Sequence, residues 1–426
     1  MRRYPELLVG PLARQQTTSI VNSVLGPDPL IVPALGSSCV AIRVGGAAAY
    51  AHNPTLPLIA ASTMKTLTAA ALLAHSQPHE TLTTRVVSAA APRSGVLAGD
   101  LWLVGGGDPV LATEDYLSTF AQARTATPLG QLADRIAAAG IKRVTGGVVG
   151  DDRRFDDERS IPSWKHSYLT SGQVGPLSAL NINDGFTDGT GTARRPASDP
   201  PLSAAALFTQ LLIDRGIQVD GVSRGRPDGA AAAPKVELAS IHSPPISMMI
   251  AEMLQHSDNT TAELLLKETG RRASGFGTTT AGLAAVRAVL VAAKLPLDGY
   301  VANDGSGLDR GDRVTCALLL ANMAGQSLDG PLIHGLSVAG TVGTLRKRMT
   351  GPGLRGNVRA KTGTLNGVSA LVGVLTAANG TRLDFAIVFN GLASSLAGVQ
   401  AEDRLLERLA ALRPPSAEAL APVARH

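Results

Sequence analysis

Aromatic residues are scarce: Phe, Trp and Tyr make up 3% of the 426 residues. That removes the stacking platforms on which single-stranded nucleic acid is held. The net charge is only +5, and no Lys/Arg-rich stripe accompanies it, so no nucleic-acid partner is expected. Two cysteines exclude a disulfide-dense scaffold and a multi-cysteine zinc site. Cys39 and Cys316 lie 277 residues apart. In an oxidising compartment they could pair, or Cys316 could simply fill an apolar helix; the pattern leaves both open. No run reaches the roughly 18 apolar residues of a transmembrane helix, so no transmembrane segment is expected. The start, MRRYPELLVG, has an apolar core of four residues, short of the 7–15 or so of a secretory signal. Lysine is rare too, with 8 among 39 basic residues, which reads as a coding bias towards arginine.

What is present can build a full core: 44% hydrophobic and 17% charged residues. At roughly 150 residues per domain, the length suggests two or three domains. Residues 13–25 read as an amphipathic helix, and SSCVAIRV and GAAAYAHN as a hairpin around Gly45-Gly46. An Ala/Leu-rich helix is expected to open at Ser62 and to stop before Pro78. From residues 86 to 240 short β-like runs alternate with dense Gly, Pro and Asp and two helices, LGQLADRIAAAGI and AALFTQLLIDRGI. After residue 240 come four helical runs, then strands separated by Asn366-Gly367 and Asn379-Gly380, a strong hairpin signal. A last amphipathic helix follows, and 414–426 reads as a disordered tail. The expected architecture is α+β: an antiparallel sheet covered by helices, built from residues 1–85 and 241–413, with an inserted β-rich module, 86–240, of two small domains.

Three short motifs occur in order. Ser62-Thr63-Met64-Lys65 is S-x-x-K, Ser257-Asp258-Asn259 is S-x-N, and Lys361-Thr362-Gly363 is K-T-G. This is the set used by penicillin-binding proteins and serine β-lactamases. Each motif alone is weak. Their order, with S-x-x-K opening a helix and K-T-G on a strand, is what carries weight.

The spacing has a physical basis. On a helix, residues i and i+3 share a face, so Lys65 reaches the Ser62 hydroxyl. A serine is a poor nucleophile until a base takes its proton. Lysine is that base only when neutral, and burial or a second ammonium, here Lys361, lowers its pKa. The backbone N–H groups of Ser62 and Thr364 suit an oxyanion hole. Ser257 is expected to bridge the two lysines and pass a proton to the leaving amine. Asn259 suits the substrate amide, and Lys361 with the Thr362 and Thr364 hydroxyls a substrate carboxylate.

SDNTTAELLLKETG resembles the second-motif segment of class C low-molecular-mass penicillin-binding proteins, the D-alanyl-D-alanine carboxypeptidases/endopeptidases. GDLWLVGGGDPVL (99–111), GPLSALNINDG (175–185), NDGSGLDR (303–310), GTLRKRM (343–349) and KTGTLNGVSALVG (361–373) resemble further segments of that family. The resemblance implies a transpeptidase-like domain around inserted smaller domains. It implies catalytic roles for Ser62, Lys65, Ser257, Asn259 and Lys361, and substrate binding at Thr362, Gly363 and Thr364. It implies partners that are peptidoglycan peptides ending in D-Ala-D-Ala and β-lactam antibiotics. It also implies export, to the periplasm or the outer face of the cytoplasmic membrane, which leaves the missing signal peptide to a trimmed form. Neither a metal nor an organic cofactor is expected.

Two rivals stand beside this reading. A serine β-lactamase is disfavoured by the long insertion and by the lack of an E-x-x-L-N segment after Ser257. A catalytically silent wall-binding or sensor protein is disfavoured by intact Ser62, Lys65 and Lys361. The acidic run Asp151, Asp152, Asp156, Asp157 and Glu158 reads as a solvated turn rather than a metal site. His75 and His79 have zinc-helix spacing, but Pro78 lies between them. Gly105-Gly106-Gly107 lacks the Lys-Ser/Thr of a phosphate loop and reads as a strand-to-helix turn.

Overall fold

A computed structural model describes residues 4–187, 194–227, 234 and 236–412. The expected disordered tail, 414–426, lies outside the described residues, as do the start of the loop 189–203 and most of 228–234. The chain divides into two compact units. The first comprises the described residues up to Ala70, Leu254–Ser257 and those from Ala288 on; the second comprises Ala71–Met253 and Asp258–Arg287.

The first unit is organised by a six-stranded antiparallel sheet. Its spatial order is Ser337–Val338, Val358–Leu365, Val368–Thr376, Arg382–Phe389, Ser38–Val44 and Ala47–His52. The central strand Val368–Thr376 is buried on both faces, which is why it reads as continuous apolar sequence rather than as alternation. Period two assigns the faces. Leu371, Leu375, Phe385, Ile387, Val40 and Ile42 share one core with Ala401, Leu405 and Leu409 of the terminal helix Ser395–Ala410. Cys39 points the other way and forms a disulfide with Cys316, at the start of helix Cys316–Ala324. The first helix runs Tyr4–Leu25, longer than the expected 13–25, and passes through Pro11.

The second unit has short strands in separate sheets. Thr83–Ser88 pairs antiparallel with Val236–His242 and with Leu101–Val104, which pairs parallel with Val148–Asp151. Leu132, Ala133 and Ile136 of helix Gly130–Ala138 and Ala204, Phe208 and Leu212 of helix Pro200–Ile213 fill its core. Asp199 caps the latter helix by accepting from Leu202 N–H, and Pro200 and Pro201 open it. The unit boundaries fall at other positions than the expected 85/86 and 240/241. Cuts there would divide the paired strands Thr83–Ser88 and Val236–His242.

Two local expectations are corrected. The acidic run is not a solvated turn: Asp151 takes a two-pronged pair from Arg153, Asp152 is wholly buried against Arg159, and Asp156 pairs with Lys267. Gly105 and Gly106 do not lead into a helix. They thread between backbones, since a Cβ would stand 2.4 Å from Ala179 O at Gly105 and 2.2 Å from Thr83 O at Gly106.

Candidate active site

Ser62 lies in a 3-10 turn, Ala61–Met64, and the α-helix begins only at Lys65. The sequence reading placed both on one α-helix. A 3-10 turn has three residues per turn and eclipses i and i+3, so it aligns Ser62 and Lys65 more directly. Lys65 Nζ donates to Ser62 Oγ at 2.9 Å and to Ser306 O at 2.7 Å, and its side chain is fully buried. Thr68 Oγ1 donates to Gly305 O at 2.7 Å, which holds the same loop against the same helix.

The backbone before Ser62 is strained. Ala61 has φ +48°, a left-handed conformation that costs a non-glycine residue about 1–2 kcal/mol. Two glycines hold it there. A Cβ at Gly307 would lie 1.9 Å from Ala61 O, and one at Gly363 would lie 2.5 Å from Ala60 O. Gly363, expected among the substrate-binding residues, thus allows the K-T-G strand to approach the nucleophile loop.

Lys361 lies on strand Val358–Leu365 and is fully buried. Its Nζ donates to Ser257 Oγ at 2.8 Å and to Thr362 O at 2.8 Å. Burial, and then the charge of Lys65, push its pKa well below the ordinary lysine range. The sequence reading placed that lowering on Lys65. Ser257 has φ +58°, a second left-handed residue at the site. On the other face of the strand, Thr364 is exposed, and Thr362 Oγ1 donates to Thr344 Oγ1 at 2.9 Å. Thr344 and Ser337 share a hydrogen bond of 3.1 Å, and Ser337 Oγ donates to Gln255 O.

The first unit therefore brings together Ser62, Lys65, Ser257, Lys361, Thr362, Gly363 and Thr364. Asn259 belongs to the second unit. It opens helix Asn259–Ser274, which Asp258 caps by accepting from Thr261 N–H, and its amide donates to Gln173 O at 2.7 Å. Ser306, Ser337 and Thr344 were not singled out from the sequence. Ser306 and Thr344 lie in NDGSGLDR and GTLRKRM, segments that carry the family resemblance without showing which residue faces the lysines or the K-T-G strand; Ser337 lies in neither.

This order and geometry coincide with a match along almost the whole chain. The model of the D-Ala-D-Ala carboxypeptidase 3 (S13) family matches residues 28–198 and 188–412. The chain belongs to that family. It is 29% identical to the D-alanyl-D-alanine carboxypeptidase of Actinomadura sp. (strain R39), over 90% of this chain and 82% of that one. It is 32% identical to a carboxypeptidase of Mycobacterium tuberculosis, over 79% of this chain and 72% of that one. The fold is that of penicillin binding protein 4 of Haemophilus influenzae, at a TM-score of 0.75 and 22% identity, covering 88% of this chain and 96% of the other. Among the described residues, no single helix is long and apolar enough to cross a membrane.

Proposed function

We propose that this chain is a serine D-alanyl-D-alanine carboxypeptidase. It acts on peptidoglycan stem peptides through an acyl-enzyme at Ser62, and β-lactams acylate the same serine. The observation that carries this is the buried Lys65 ammonium 2.9 Å from Ser62 Oγ, with a second lysine, Lys361, whose pKa is lowered by burial and then by the charge of Lys65. Two buried ammoniums repel, so the pair sheds a proton at lower pH than a free lysine would. The titration belongs to the pair rather than to either residue.

With Lys65 neutral, its nitrogen takes the Ser62 proton as Oγ attacks the carbonyl carbon of the penultimate D-Ala. The N–H groups of Ser62 and Thr364 receive the charge that develops on the carbonyl oxygen. The C–N bond breaks, and the leaving amine takes a proton relayed by Ser257 from the lysine pair. Water then attacks the ester by the reverse proton path. Thr362 and Thr364 receive the terminal carboxylate, with the charge of Lys361 beneath them. The disulfide Cys39–Cys316 fits an oxidising compartment and supports export.

The test is release of D-alanine from a peptide ending in D-Ala-D-Ala, with a crosslinked dimer as a second substrate for endopeptidase action. Ser62→Ala is expected to abolish release. Lys65→Arg is expected to lose at least about 100-fold, because arginine keeps the charge but does not act as a base. Release that survives in Ser62→Ala would overturn the assignment.

A further inference from the structure

The second unit contains a cavity of about 500 Å³ that no step above uses. Five guanidiniums line it: Arg85, Arg153, Arg154, Arg271 and Arg272, with Asp151 as the one acidic residue of the wall. The hydrogen bonds show how much of this charge is already neutralised. Arg153 pairs with Asp151 through Nε and Nη2 at 2.9 and 2.8 Å. Arg154 pairs with Glu268 in the same side-on way, at 2.8 Å for both nitrogens. Arg272 shares Glu268 and reaches Glu80.

Three carboxylates thus serve five arginines, a surplus of two positive charges. Among the described residues Arg154 keeps its Nη1 edge unused, because both oxygens of the buried Glu268 face its Nε–Nη2 edge. Among the described residues Arg271 donates only to the carbonyl of Gly275, and Arg85 has no hydrogen bond or ion pair from its side chain. Like charges gathered in a concave wall repel one another and concentrate an anion. A structural role needs only the paired arginines, so Arg85 and Arg271 are left over from it.

We propose that this cavity takes the phosphate group of a sugar-sized phosphate monoester. A monoester carries about −1.5 to −2 charge at pH 7, which matches the surplus. Its tetrahedral oxygens accept from several guanidinium forks at once. The volume is that of a small-molecule site, roughly 300–1,000 Å³ in typical cases. Gly105 and Gly106 also line the cavity.

The experiment titrates glucose 6-phosphate into the full chain by calorimetry, with glucose and glucuronate as controls. Binding with a Kd below about 1 mM is expected for the phosphate, none for glucose, and at least tenfold weaker binding for glucuronate. Arg85→Gln/Arg271→Gln should weaken glucose 6-phosphate at least tenfold while penicillin still acylates Ser62 at the parent rate, since both side chains are exposed and lack a carboxylate partner. Arg85→Gln alone serves if the double variant does not fold. No binding of glucose 6-phosphate, equal binding by the folded variant, or equal binding of glucuronate would overturn the proposal.

Discussion

At the scale of single residues, the site depends on close backbone approach as much as on its functional groups. Gly363 is the clearest case, because a methyl group there would meet the Ala60 carbonyl at 2.5 Å. That carbonyl precedes the strained Ala61 and then Ser62, so it has little freedom to retreat. Gly363→Ala is expected to cut penicillin acylation at least about 100-fold, the scale of a 1 Å misplacement of a reacting group, while leaving a folded protein. Stopped-flow or gel-based acylation measures it, and an unchanged rate would show that the loop gives way. The chemistry of S-x-x-K was legible in the sequence because its partners are three residues apart. The left-handed Ala61 and Ser257 were not, since nothing in an alanine or a serine announces a positive φ.

At the scale of elements, helix Asn259–Ser274 shows what patterning conveyed and what it did not. Its rough extent was legible from the helical run TTAELLLKETGRRA, but its cap, Asp258, was not. That nearly the whole helix is buried, with Glu263, Lys267 and Glu268 inside, was not. Two of their partners come from over a hundred residues away, Asp156 for Lys267 and Arg154 for Glu268, while Arg272 reaches Glu268 from the next turn. The acidic run was misread because only the fold turns the nearby Arg153 and Arg159 onto Asp151 and Asp152, and because Lys267 reaches Asp156 from 111 residues away. Arg124 is the sharpest test of this layer. It pairs with Asp258, the middle residue of S-x-N, at 2.9 Å, and with the buried Glu252. Arg124→Met would leave both carboxylates without their cation. A loss of about 3 kcal/mol is expected from urea denaturation, the scale of a broken buried pair. A loss below about 1 kcal/mol would mean that the pair is solvated.

At the scale of the molecule, an antiparallel sheet covered by helices follows from patterns the sequence shows, but the pairing of Ser38–Val44 with Arg382–Phe389 within it does not. The positions of the unit boundaries do not, because they run through elements with unbroken local periodicity. The disulfide was open in the sequence and closes a 277-residue separation, a constraint typically worth about 2–4 kcal/mol. Buried acids set the pH dependence of stability. Burial raises Asp108 to about 6, and burial raises Asp184 and Glu402 to about 7. An acid whose folded pKa is raised favours the fold fully below its unfolded pKa near 4, and that favour is lost as pH rises towards 7. The melting temperature should therefore fall between pH 5 and pH 8. Glu402→Gln should flatten that fall, since a Gln oxygen can still accept from Ser369 and Arg348 keeps Asp403. Equal slopes for the two proteins would show that Glu402 does not titrate there.

The central claim is that Ser62 is the acylated nucleophile, primed by Lys65 2.9 Å away. Intact mass spectrometry after benzylpenicillin, followed by peptide mapping, tests it most directly. One adduct per chain is predicted, on the peptide that carries Ser62, absent in Ser62→Ala and formed at least about 100-fold more slowly in Lys65→Arg. A stoichiometric adduct on another serine, or full labelling of Ser62→Ala, would contradict the account.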